Sequence, residues 1–236
     1  MNVLIWNEFT GNAKGKEVLA VYPEGIHNAL KDGLKKDAGL KITTAVLEQP
    51  EHGLTQEVLD KTDVLIWWGH CAHGLVSDEA ADRVVDFVHR GGGVIFLHSS
   101  HLAKPFKRLM GTSCTLKWRE AGDKEILWTA NPGHPIAQGV PEYIILPHDE
   151  MYGEPFDIPR PDETVFIGWF SGGEVFRSGV AYRRGLGKVF YFQPGHETHP
   201  IYYDPNIIKI INNAVKWAAP VKKSAPLSCP NTRPVV

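Results

Sequence analysis

Three short, continuously apolar runs, VLIW at 3–6, VLIWW at 64–68 and VIFL at 94–97, have the pattern of strands buried on both faces. Between them the hydrophobic period lengthens. Within 23–36, Ile26, Ala29, Leu30, Gly33 and Leu34 recur at helical spacing, the stripe of a helix packed on a sheet. Residues 41–46 form a second strand and 55–61 a short helix. Ser77 is an N-cap, with Asp78 and Glu79 in the first turn, for a helix that buries Ala81, Val84, Val85 and Val88. Residues 91–93, all glycine, stop that helix and feed the run at 94–97. A β-α-β-α-β series with short links predicts right-handed crossovers and a mainly parallel sheet, with the three apolar runs adjacent at its centre.

The second half reads differently. A short helix at 105–110 is followed by strands at 115–118, 125–129, 143–146, 164–169, 179–183 and 188–192, with a turn-rich loop at 131–141. Asp204 and Pro205 open a closing helix with the apolar stripe Ile207, Ile208, Ile211, Val215 and Ala218, which Pro220 ends. The expectation is a single domain over 1–220 and a mobile, proline-rich tail over 221–236.

Chemistry gathers where these strands end. Asn7 and Glu8 follow the first run, His70, Cys71 and His73 the second, and His98, Ser99, Ser100 and His101 the third. Open α/β sheets keep ligands at that carboxyl edge. Seven of the eleven histidines follow predicted strands: His70, His73, His98, His101, His148, His196 and His199. Converging imidazoles serve as acid–base groups near neutral pH or as ligands for zinc and similar ions. The spacings 70/73 and 98/101 are not H-E-x-x-H, so the metal pattern is unspecific. Asp149 and Glu150 are a paired carboxylate, extended by Tyr152 and Glu154, although a solvated loop is the plainer account of Glu154. His27, His52, His89 and His134 are assigned structural duty. No G-x-S-x-G elbow surrounds Ser99 or Ser100, and Cys71 is read as a small buried residue rather than a nucleophile.

Composition narrows the field. The chain has 236 residues, 43% hydrophobic, and a formal net charge of -2 without a basic stripe, so a nucleic-acid partner is not expected. No window approaches the apolar length of a membrane span, and the opening MNVLIWNEFTGN predicts a strand rather than a signal peptide. Three cysteines without C-x-x-C spacing suggest neither a disulfide framework nor a thiolate zinc site, which fits a reducing cytoplasm.

The motifs WNEF, YPEGIH, WWGHCAHG, GGGVIFLHSSH, DEMYGEPF and YFQPGHET together resemble the ThuA-like (trehalose utilisation) family, a branch of the class I glutamine amidotransferase-like superfamily; the likeness runs from about Asn2 to Trp217. The resemblance implies a flavodoxin-like three-layer α/β/α sandwich and a role in the use of trehalose or related disaccharides and keto-sugars. At the strand-to-helix elbow, where amidotransferases carry a nucleophilic cysteine, this chain has His98, so amide hydrolysis through a thioester should be absent. His196 and Glu197 are similar to the end of the amidotransferase triad without keeping its spacing. Where many relatives carry a histidine after WNEF, this chain has Thr10, Gly11 and Asn12.

The expected site has His98, Glu150 and His196 as catalytic groups and Asn7, Glu8, Trp68, His73, His101, Asp149 and Tyr152 around a sugar. His70, His98 and His196 could hold zinc or another divalent ion; no nucleotide cofactor is expected. Trp6, Trp67, Trp68 and Trp118 could stack on a pyranose. The activity implied is that of a sugar-modifying hydrolase or isomerase, the alternative a non-catalytic sugar-binding or regulatory subunit. A homo-oligomer is left open.

Overall fold

The three apolar runs are strands, and the helical stripes between them are helices. The computed structural model describes residues 1–225 and 229–236. Its first half runs β1 (Asn2–Asn7), α1 (Lys16–Val21), α2 (Ile26–Leu34), β2 (Lys41–Val46), α3 (Gln56–Lys61), β3 (Val64–Trp68), α4 (Asp78–His89), β4 (Gly93–Leu97) and α5 (Lys104–Met110). The second half follows with β5 (Lys117–Thr129), β6 (Tyr143–Gly153), β7 (Glu163–Phe170), β8 (Val175–Arg184), β9 (Gly187–Phe192) and α6 (Pro205–Ala218). The caps read from sequence are made: Ser77 Oγ accepts from Ala80 N, and Asp204 accepts from Asn206 N and Ile207 N.

Among the described residues the strands form one sheet in the order β2-β1-β3-β4-β9-β8-β7-β5-β6. As expected, β1, β3 and β4 are neighbours in parallel. The sheet is mixed, however, not mainly parallel. β2, β1, β3, β4 and β9 pair in parallel, while β9, β8, β7, β5 and β6 pair antiparallel. The cause lies in the links. Parallel neighbours need a crossover of a dozen or more residues, whereas only residues 171–174 join β7 to β8 and 185–186 join β8 to β9.

Alternation along the parallel strands feeds two cores. Val3, Ile5, Ile66, Trp68, Ile95 and Phe190 meet α2 and α6 on one face. Leu4, Trp6, Leu65, Trp67, Val94 and Tyr191 meet α4 and α5 on the other. Two expected boundaries shift in a way that matters. The strands predicted at 115–118 and 125–129 are one strand, β5, and β6 continues past 146 to carry His148, Asp149, Glu150 and Tyr152 on strand rather than loop. Within the expected tail, Ser224 N donates to Arg90 O and Lys223 Nζ to Asp60 O, while residues 226–228 lie outside the described residues. No helix of the described chain is long and apolar enough to cross a membrane.

Candidate active site

The register fixes where the site lies. Asn7 is level with Trp68, Trp68 with Leu97, and Leu97 with Phe192. The residues that leave these strands, Glu8, His70, His98 and Gln193 to His196, therefore emerge at one edge. The antiparallel β5–β6 ribbon reaches the same place from the side. Its register shifts between Arg119 and Glu125, and the half beyond those irregularities brings Trp118, Glu150 and Tyr152 to His98.

His98 is the centre. It sits directly after β4 with φ +51, a left-handed conformation that costs a non-glycine residue about 1–3 kcal/mol. Its Nδ1 is 2.9 Å from Gln193 O, so that nitrogen carries a proton, and Nε2 lies 3.0 Å from Glu150 Oε2. Tyr152 stacks on the ring at 5.0 Å between centroids. Burial disfavours charge on His98, but the Glu150 carboxylate, with Asp149 and Glu197 behind it, outweighs that and pushes the imidazole up to about 9. Burial likewise raises Glu150, and the His98 charge wins, holding that carboxyl below its ordinary value.

His196 is poised the other way. Burial and then the positive charge of His98 lower it to about 4. Its Nδ1 is 2.9 Å from Thr198 Oγ1, and Nε2 is 3.5 Å from Glu120 Oε1 and 3.7 Å from Glu197 Oε2. His70 completes the group. Ser99 Oγ donates to Gly69 O, so it must accept from His70 Nδ1 at 2.9 Å, and His70 Nε2 is 3.2 Å from Glu197 Oε1. Ring centroids are 5.5 Å apart for His98 and His196, 6.0 Å for His70 and His196, and 6.4 Å for His70 and His98.

The set whose donor atoms all lie within 4.8 Å of one another is His98, Glu150 and His196. Glu150 thus stands where the sequence reading put His70, whose two ring nitrogens are directed to Ser99 and Glu197. Two imidazoles and a carboxylate suit zinc or a similar ion in donor type. Glu150 Oε2 is buried against His98 Nε2, so its lone pair becomes available to such an ion once that nitrogen has lost its proton.

Behind the site, a second layer fixes it. The Asp149 carboxylate accepts backbone N–H groups from Glu150 at 2.8 Å and from Gly195 and His196 at 3.2 Å, tying β6 to the turn that carries His196. Gly195 has φ +144, and a Cβ there would overlap the Tyr202 hydroxyl. Gln193 Nε2 donates to Glu150 O, which leaves Gln193 Oε1 as an acceptor. Ser178 Oγ lies 3.2 Å from both that oxygen and Glu125 Oε1. One hydroxyl proton cannot serve two acceptors, so Glu125 carries a proton of its own. Full burial and the nearby Asp149 raise its pKa well above the ordinary value, in agreement.

The cluster opens on a cavity of about 390 Å³ lined by His70, Ser99, His101, Leu102, Leu116, Trp118, Glu120, Glu150 and Tyr152, within the usual ligand-pocket range of about 300–1,000 Å³. Trp118 is 65% exposed at its rim. A second cavity of about 380 Å³ shares His70 and Glu120 and adds Asn12, Glu17, His196, Glu197 and Thr198. A roomier hollow of about 580 Å³ beside β2 and α3 holds no histidine or carboxylate.

Several expected sugar contacts do structural work instead. Glu8 takes the backbone N–H groups of His70, Cys71 and Ala72 at 2.7–3.0 Å, and Asn7 pairs with His27 and Phe9 N; neither lines a cavity. Trp68 is core, its Nε1 donating to Gly195 O, and Trp6 and Trp67 stack on each other in the core. His73, pushed down to about 4 by burial, is outside both cavities, whereas His101, Tyr152 and Glu150 line the first. Glu154, read as a solvated loop residue, is half-buried against Arg177 at 2.7 Å. Cys71, expected to be buried, is exposed at the first cavity, and partial burial, Glu8 and Glu197 raise its thiol, the wrong direction for a nucleophile. Sequence reasoning missed Glu120 and Glu125. Glu125 shares its alternating face with buried Leu127, a usable signal; Glu120 sits in the irregular stretch of β5 and had none.

A sequence model of the family described as trehalose utilisation (ThuA) matches residues 2–218. A search of the curated proteins finds no match. Among solved structures, a putative ThuA-like protein from Parabacteroides merdae superposes with a TM-score of 0.68 at 15% identity, covering 95% of this chain and 92% of that one. A cytoplasmic protein from Salmonella typhimurium gives 0.61 at 14%, covering 93% and 100%. A β-galactosidase from Bacillus circulans gives 0.57 at 14%, covering 95% of this chain but 32% of the longer one. At such identities these likenesses speak to the fold alone.

Proposed function

Because the chain belongs to the trehalose-utilisation (ThuA) family, we propose that it is an enzyme of carbohydrate utilisation that moves protons on a sugar between His98 and His196. The observation that carries this reading is the opposite poise of two imidazoles 5.5 Å apart, one held near 9 and the other near 4. Groups whose surroundings push their pKa values apart divide naturally into acid and base. At neutral pH His98 is an imidazolium with its donor at Nε2, since Nδ1–H is engaged by Gln193 O. His196 is neutral; its Nδ1 receives the Thr198 N–H at 3.3 Å, and in the tautomer that gives up this contact to donate Nδ1–H to Thr198 Oγ1 its Nε2 lone pair faces the cavity. His196 takes a proton from a sugar hydroxyl or acidic C–H, and His98 gives one to a carbonyl or departing oxygen. One proton enters and one leaves, so the site's charge is unchanged. Glu150 holds the imidazolium in place, and Tyr152 shields it from water.

A second reading is favoured by the close donor set of His98, Glu150 and His196. Bound there, a zinc or similar ion would polarise a sugar oxygen; binding would first require His98 Nε2 to lose its proton. The residues would also have to draw closer, because Zn–N bonds are about 2.0–2.1 Å. The single unit over 1–220, the tail from 221 and a cytoplasmic setting belong to the same proposal. They are supported by the extent of the family match, by three free cysteines and by similar Salmonella proteins described as cytoplasmic. The test joins elemental analysis of purified protein to NMR of trehalose and keto-disaccharides incubated with it. Turnover lost in both His98→Gln and His196→Gln supports the acid–base reading. Turnover that requires an added divalent ion favours the second reading, and sugar binding without turnover would make the protein a binder.

A further inference from the structure

We propose that the cleft accepts a glycoside with an apolar aglycone, the sugar lying in the cavity of Asn12, Glu17 and Thr198 and the aglycone against Trp118, Leu102 and Leu116. This rests on the proton-transfer reading of the cluster. The two cavities, of about 390 and 380 Å³, share His70 and Glu120, and each touches the cluster from its own side. Glu150 and Tyr152 line the first, His196 the second. A ligand filling both passes Glu150 on one side and His196 on the other, while His98, fully buried, lines neither cavity.

The walls differ in chemistry. In the first cavity the polar groups other than the Glu120 and Glu150 carboxylates are largely engaged. Ser99 Oγ serves Gly69 O and His70, His101 Nδ1 meets Cys114 O at 2.7 Å, and Thr115 Oγ1 pairs with Ser113 Oγ at 2.9 Å. Sugar hydroxyls placed there would lose water with few replacements, at about 1–3 kcal/mol for each unsatisfied group. What the cavity offers freely is apolar: Trp118 is 65% exposed and Leu102 37%. In the second cavity more polar atoms remain free, although Thr198 Oγ1 meets His196 and Glu197 Oε1 meets His70. Glu197 is buried, and its Oε2 has no hydrogen-bond partner among the described residues. Lys16 and Glu17 line the same space, neither in an ion pair among the described residues. Asn12 spends one N–H on Cys71 Sγ and keeps its carbonyl oxygen. Hydroxyl-rich rings need such donors and acceptors, and flat apolar groups need a surface like Trp118.

The experiment is titration calorimetry with matched phenyl and methyl glycosides of glucose, galactose and mannose, in both anomers, with trehalose as a two-sugar reference. For the sugar that binds, the phenyl glycoside should be about tenfold tighter than the methyl, as expected for an aromatic contact plus buried area. Trp118→Ala should erase that preference and Trp118→Phe keep most of it, whereas Asn12→Ala should weaken phenyl and methyl glycosides alike. Circular dichroism of each variant checks folding. A phenyl preference that survives Trp118→Ala, or trehalose binding more tightly than the phenyl glycoside, overturns the aglycone assignment while leaving the sugar reading intact. Failure of every glycoside and of trehalose to bind overturns both.

Discussion

Replacing Glu150 with Gln removes the charge that sustains the His98 imidazolium and keeps the side-chain volume. His98 is raised from 6.5 to about 9. At 1.36 kcal/mol per unit, that is about 3 kcal/mol of preference for the charged form. The sign follows from linkage. A group whose folded pKa is raised contributes stability that is fully present below its unfolded pKa, here 6.5, and is lost as pH rises through the folded value, here about 9. Asp149, raised by burial to about 6, has already lost its contribution below this window. Metal-free wild-type protein should therefore lose about 3 kcal/mol of unfolding free energy between pH 6.5 and 9.5, measured by urea denaturation. The His98 ring should titrate near 9 in long-range 1H–15N spectra. In Glu150→Gln, burial acts with less opposition, so the ring should titrate several units lower and the stability slope across that window should flatten. A wild-type His98 that titrates at or below 6.5, or a variant that keeps the slope, would refute the ion-pair assignment.

Glu125→Gln should be tolerated within about 1 kcal/mol, because the amide supplies the donor that the protonated carboxyl supplies now, and it should remove a protonated-carboxyl C=O band from the infrared difference spectrum. Ser178→Ala breaks the same chain and should cost about 1–3 kcal/mol in thermal or urea unfolding. Cys71→Ser should retain most sugar binding and turnover, since the thiol is held protonated; complete loss with the fold intact would reinstate the cysteine as a nucleophile.

The parallel half was legible because both its physical signals point the same way. Short runs such as VLIWW, rich in β-branched and aromatic residues and too brief for a helix, suit strands buried on two faces, and caps such as Ser77 mark where the helices between them begin. Histidines placed after those strands had to meet at one edge once the register was parallel, and His70, His98 and His196 do. The antiparallel half was harder, because its topology depends on link length more than on strand pattern. Local pattern also split β5 at Arg119 to Lys124, where register shifts twist the ribbon toward the site. Local pattern likewise ends the β6 strand at 146, short of Glu150. Its partnership with His98 is a contact between residues 52 positions apart, and no periodicity encodes it.

The conformation at the elbow shows why only one His98 nitrogen can act. A non-glycine residue at φ +51 persists only where its surroundings over-determine it. Here Tyr191 Oη donates to His98 O at 2.9 Å, Gln193 O holds Nδ1 at 2.9 Å, and Tyr152 covers the ring face. Each anchor comes from a different chain segment, β9, the turn after it, and β6. A ring flip would bring Nδ1 to the Glu150 side only by breaking the Gln193 contact and leaving that carbonyl unpaired in a fully buried setting. The same anchors direct Nε2 toward Glu150 whether that nitrogen holds a proton or a metal ion. The strained elbow after β4 thus presents a single, fixed imidazole nitrogen, and the chemistry open to the site is set by what occupies that one position.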